Sequence, residues 1–173
     1  MPDHVTSRPR RLLVVHHSPT SAVRTLTEAV IAGTRDEAIS GVEVVVRQAL
    51  EATADDVLAA DGYLLGTPAN FGYMSGALKH FFDSTFLRVG GSLSADGSAE
   101  QSSGSTAGRP FGLYVHGRYD TEGATRSVLS IVKALQWRQV APVLEVVGDV
   151  SDAHHGSAYE LGGTIAALLS PDV

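Results

Sequence analysis

A chain of 173 residues with 43% hydrophobic and 18% charged side chains has the balance of one soluble globular domain and is too apolar to stay disordered. Its formal net charge of −6, from 13 Lys and Arg against 19 Asp and Glu, provides no basic footprint for a phosphodiester backbone, so nucleic acid is not expected as a partner. The absence of cysteine excludes disulfides, thiolate nucleophiles and Cys-held zinc or iron–sulfur centres, so any redox chemistry needs a bound cofactor.

Residues 1–10 read as an N-terminal arm and residues 11–170 as a single domain. The arm carries Arg8 and Arg10, and the apolar run Leu12–Val15 lasts only four residues before His16 and His17, which fits neither a signal peptide nor a membrane span. A cytoplasmic protein is the expectation. Leu12–Val15 reads as a strand buried on both faces. Val23, Leu26, Val30 and Ile31 then recur at helical spacing, and Gly41 opens a second strand, Val42–Val46. A short helix at 54–59 leads to a third strand, Tyr63–Leu65, which is expected to stop at Gly66-Thr67-Pro68. Gly76–Phe86 returns to helical spacing through Leu78, Phe81 and Phe82. The Gly/Ser-rich segment 90–108 has almost no large apolar side chain and reads as a mobile surface loop that adds nothing to a core. A fourth strand (Phe111–Val115), a helix (Thr121–Leu135), a fifth strand (Val143–Val147) and a last helix (Asp152–Leu169) complete the chain.

Strict alternation of strands and helices implies a parallel sheet covered on both faces, a three-layer α-β-α sandwich of the α/β class. Five strands suit the order 2-1-3-4-5, and a Rossmann-type order fits the same alternation. Either way, ligands bind beyond the carboxyl ends of the strands, which selects the loops after the first, third and fourth strands.

In the first of these loops, hydroxyls at Ser18, Thr20 and Ser21 and the free N–H groups of Ala22 and Val23 at a helix N-terminus suit a monophosphate. The competing reading is that one of the hydroxyls simply caps the helix. P-loop and G-x-G-x-x-G signatures are both missing. The loop after the third strand runs Gly66-Thr67-Pro68-Ala69-Asn70-Phe71-Gly72-Tyr73-Met74-Ser75-Gly76. After the fourth come His116, Gly117, Arg118 and Tyr119. The pairs His16-His17 and His154-His155 have no carboxylate placed beside them, so no metal is expected, and His154-His155 reads as an exposed turn. Glu51, Asp55, Asp56 and Asp61 read as a solvated acidic edge, and the serines lack a G-x-S-x-G setting.

From Gly66 to Thr85 the pattern Gly-Thr-Pro-x-x-Phe-Gly-x-Met-Ser-Gly-x-Leu-Lys-x-Phe-x-Asp-x-Thr resembles the flavin loop of the flavodoxin-like NAD(P)H-dependent FMN reductases and NAD(P)H:quinone oxidoreductases. The resemblance implies the flavodoxin-like order 2-1-3-4-5 and an FMN site. Its ring edge would be followed by Thr67, Pro68, Ala69, Asn70, Phe71 and Gly72, and its other side by His116, Gly117, Arg118 and Tyr119. The first loop departs from the flavodoxin phosphate signature, with Ser21 in place of the glycine and Val23 in place of the last hydroxyl, so backbone N–H groups would carry the phosphate. The implied activity is hydride transfer from NADH or NADPH through FMN to a quinone or other small acceptor. Flavin N5 carries that chemistry, so no side-chain acid or base is required, and a homo-oligomer suits the family. Two other readings stay open: a non-enzymatic electron carrier that docks on redox partners, and a cofactor-free interaction module.

Overall fold

The computed structural model describes residues 8–99 and 104–172. In chain order the elements are β1 (Arg10–His16), α1 (Ser21–Thr34), β2 (Val42–Gln48), α2 (Ala54–Ala59), β3 (Gly62–Asn70), β4 (Tyr73–Met74), α3 (Gly76–Thr85), β5 (Pro110–Gly117), α4 (Glu122–Ala134), β6 (Arg138–Gln139), β7 (Leu144–Val147) and α5 (Asp152–Leu169). The strands β2-β1-β3-β5 are parallel neighbours, and both β6 and β7 pair in parallel with β5 on its far side. β6 and β7 are two pieces of one outer strand, so the order is 2-1-3-4-5 with the fifth strand interrupted.

Alternation along each strand sorts the core into two halves. Leu12 and Val14, with Leu64 and Tyr114, pack under α1 and α5, while Leu13 and Val15, with Tyr63, Leu65, Leu113 and Val115, pack under α2, α3 and α4. Continuous apolar runs are what a sheet covered on both faces requires. Side-chain caps start α2 and α3: Thr53 with Asp56 forms a capping box, and Ser75 accepts from the Leu78 N–H.

Four expectations are corrected. β3 does not stop at Gly66-Thr67-Pro68 but runs on to Asn70 and turns back into β4. β1 is paired with β3 only as far as Gly66, so Pro68 lies where β3 has become an edge on that side, a place that tolerates a proline. Phe71 and Gly72, at φ 51° and 75°, form the two-residue turn of this hairpin, with the left-handed pair of a type I′ turn.

The segment 90–108 is anchored in the core at its far end. Thr106 is fully buried, donates to the Val89 carbonyl at 2.7 Å and accepts the Trp137 indole N–H at 2.8 Å. Residues 100–103 of that segment lie outside the described residues. The acidic edge is solvated at Glu51 and at Asp55, which pairs with the exposed Arg88, but Asp61 accepts the Arg11 N–H at 2.8 Å and pairs with Arg8 and Arg10, and Asp56 caps α2. Finally, His154 is not a bare turn residue: its Nδ1 accepts the Ser151 N–H at 3.1 Å, completing the cap of α5.

Candidate functional site

The carboxyl ends of β1, β3, β5 and β7 open into one cleft of about 600 Å³. It is walled by Thr20, Ser21, Ala22 and Thr25 from the start of α1, Pro68–Asn70 from β3, His116 and Arg118 from β5, and Gly148–Val150 from the loop before α5. This is the size of an ordinary small-molecule site. A larger cleft of about 880 Å³ sits at the opposite end of the sheet, among Arg8, Arg10, Asp61, Arg109 and Arg138. There Arg8 and Arg10 are spent on Asp61, and Arg109 on the carbonyls of Val57, Leu58 and Ala60 at the end of α2. The sheet rule and the polar groups both favour the smaller cleft.

At the phosphate-sized end, Thr20 is the N-cap of α1 and its hydroxyl accepts from the Val23 N–H at 3.4 Å. Helix geometry leaves the N–H groups of Thr20, Ser21 and Ala22 without intrahelical acceptors. No acidic residue lies in the first turn to compete with an anion. The capping reading and the anion reading therefore coexist: Thr20 caps, and Thr20, Ser21 and Ala22, whose N–H groups have no intrahelical acceptor, line the cleft. Val23 itself is buried, and the Ser18 hydroxyl is engaged at 2.7 Å with Thr27 and at 2.9 Å with His16.

In the second loop, Pro68, Ala69 and Asn70 line the cleft. Thr67 is fully buried and its hydroxyl works inside the hairpin, accepting from the Ser75 N–H at 3.0 Å. Phe71 stands fully exposed at the hairpin tip beside Gly72, so neither is part of the cleft wall.

In the third loop, His116 and Arg118 line the cleft, whereas Gly117 is buried and Tyr119, 88% exposed, borders a separate groove along α4. His116 Nε2 donates to the Gly148 carbonyl at 2.7 Å, and Arg118 contacts Asp149 at 2.6 Å. These two contacts tie the β5 end to the loop before α5, whose residues Gly148, Asp149 and Val150 were missed in the sequence along with Thr25. The signal was available, since the rule that selects the ends of three strands selects the end of the fifth as well.

The amino-acid pattern of the NADPH-dependent FMN reductase family matches residues 19–151. The chain belongs to that family. Among curated relatives, a flavodoxin from Aquifex aeolicus (strain VF5) is 30% identical over 147 residues, spanning 85% of this chain and 72% of the relative. An NAD(P)H dehydrogenase (quinone) from Acidithiobacillus ferrooxidans is 34% identical over 95 residues, 43% of this chain and 46% of the relative. The match therefore covers about half the length of that quinone-dehydrogenase relative. An archaeal flavodoxin structure superposes with a TM-score of 0.73 at 16% identity, covering 92% of this chain and 98% of the other.

Family membership makes the chain an FMN-dependent oxidoreductase that uses NAD(P)H. The cleft fits that cofactor: free N–H groups at a helix N-terminus suit its phosphate, and the small residues Ala22 and Ala69 leave the walls open to a flat ring. No described helix is long and apolar enough to cross a membrane.

Proposed function

We propose that this chain holds FMN across the four strand ends and passes reducing equivalents from NAD(P)H to a quinone or other small acceptor. The observation that carries the reading is the convergence of the α1 N-terminus, the β3 edge and the β5 end on one cleft. When bound, FMN supplies the two-electron chemistry. The work of the chain is to bind and orient. The N–H groups of Thr20, Ser21 and Ala22 hold the phosphate, and the helix dipole favours its charge. Pro68–Asn70 lie along the ring edge with their backbone, and Asn70, which can both donate and accept, reads the polar rim of the ring. His116 is kept in place by its bond to the Gly148 carbonyl. Arg118 brings a positive charge to the same wall.

The test is stepwise. Purified protein mixed with FMN should keep a stoichiometric flavin absorbance after desalting. Anaerobic NADPH should then bleach it, and a benzoquinone should restore the colour. Loss of the flavin on desalting would sink the proposal, while retained flavin that NADPH does not bleach would point to an electron carrier.

A further inference from the structure

Gly66, the first residue of the flavin-loop motif, lies between His16 on β1 and Tyr114 on β5 in the sheet register. A Cβ on Gly66 would fall 2.2 Å from the Tyr114 hydroxyl and 2.0 Å from its ring. The missing side chain therefore lets the phenol of Tyr114 lean over β3 and reach α1. There it meets Thr27 Oγ1 at 2.7 Å, Thr27 meets Ser18 Oγ at 2.7 Å, and Ser18 meets His16 Nδ1 at 2.9 Å. Two strand spacings of about 4.8 Å are thus bridged by a continuous polar chain that ends in the β1–α1 loop.

The direction of the chain follows from proton counting. Tyr114 is fully buried, and among the described residues its hydrogen-bond partner is Thr27. A buried O–H left without an acceptor is costly, so the phenol donates to Thr27. Thr27 is then free to donate to Ser18, and Ser18 to His16 Nδ1. Tyr114 donates once, Thr27 and Ser18 each donate once and accept once, and His16 is left neutral with its proton on Nε2. A proton on Nδ1 would make Ser18 accept from both Nδ1 and Thr27, leaving the Ser18 O–H without a partner in the chain.

We propose that Tyr114 is a positioning residue for the β1–α1 loop: acting over Gly66 through Thr27 and Ser18, it fixes the loop that presents the Thr20–Ala22 N–H groups and holds His16 in its Nε2–H tautomer. The link to phosphate rests on the flavin reading above, whereas the tautomer does not.

The experiment uses the full chain. ¹⁵N NMR of the flavin-free protein should show His16 Nδ1 unprotonated, and Tyr114→Phe should let the second tautomer appear. Titrations with FMN and with riboflavin, which has no phosphate, should show roughly five- to tenfold weaker FMN binding in Tyr114→Phe with riboflavin unchanged. Thr27→Val should copy that loss, and Thr27→Ser should restore wild-type binding. A wild-type His16 protonated on Nδ1, or a Tyr114→Phe spectrum identical to wild type, would overturn the proposal whatever the flavin does. Equal weakening of FMN and riboflavin would overturn the positioning of the phosphate loop. Failure of the wild type to bind either flavin, with the tautomer as expected, would instead locate the error in the flavin reading.

Discussion

The hydroxyl of Thr67 accepts the Ser75 N–H at 3.0 Å and donates to the Pro68 carbonyl at 2.8 Å, closing the β3–β4 hairpin from inside. Thr67 is fully buried, so Thr67→Val leaves two backbone groups without this partner away from water. The expected cost is about 1–3 kcal/mol in urea unfolding, with weaker FMN binding because Pro68–Asn70 lose their support. Thr67→Ser should stay close to wild type. An equal loss in both variants would mean that the hydroxyl bonds alone do not account for the effect.

Gly123 in the first turn of α4 touches the carbonyl of Gly72: a Cβ on Gly123 would lie 1.9 Å from that oxygen. The hairpin is therefore seated directly on the helix backbone. Gly123→Ala must push it off, at an expected cost of about 1–3 kcal/mol. Hydrogen exchange at Tyr73 and Met74 should quicken more than exchange in β1, which is remote from the contact. Uniform quickening would mean that the hairpin and helix do not act as a local unit.

The hairpin also marks where the sequence was legible and where it was not. Leu12–Val15 and Tyr63–Leu65 announce strands because burial on both faces leaves no polar position, and α5 spans Asp152–Leu169 as its pattern predicts, with Ser151 capping its start. Gly66-Thr67-Pro68 read as a stop because proline and glycine weaken a central strand; what the pattern did not reveal was that β1 ends at Gly66 and frees that edge. In the site, residue types at strand ends were legible, but side-chain direction was not. Ser18, Thr67 and Phe71 belong to loops that border the cleft, yet the first two turn inward and the third turns to solvent. Asp149 was legible only through the strand-end rule, because nothing local distinguishes it from a surface aspartate.

Phe71 is fully exposed and sits at φ 51° in a turn position that favours Asn or Gly. Phe71→Asn should raise stability by about 0.5–1 kcal/mol through relief of backbone strain. If the ring serves the rim of the cleft, flavin reduction by NADPH will be unchanged while KM for a quinone acceptor rises. A more stable variant with an unaltered acceptor KM would show that the ring has no part in acceptor binding.

Burial, and then the neighbouring His17, hold the His16 imidazolium below its ordinary pKa. The unfolded chain therefore binds a proton more readily than the folded one between that lowered value and about 6.5. Stability carried by neutral His16 is complete above that window and is lost as the pH falls through it. Urea midpoints measured from pH 7.5 downward should decline below about 6.5 in the wild type, and more shallowly in His16→Gln. Parallel curves would exclude His16 as the source of the slope.

The last expectation concerns Arg118, whose guanidinium pairs with Asp149 at 2.6 Å on the cleft wall, both side chains well exposed. Exposed pairs contribute little to folding, so Asp149→Asn should leave the melting temperature where it was. The pair instead sets how much positive charge the wall offers to an anionic ligand. With Asp149 neutralised, Arg118 is free to face the cleft, and FMN should bind more tightly at low ionic strength. The gain should shrink as salt screens the charge. Arg118→Gln should weaken binding under the same conditions and remove the salt dependence of the difference. If Asp149→Asn binds FMN no better than wild type at low salt, Arg118 does not act on the ligand through this pair.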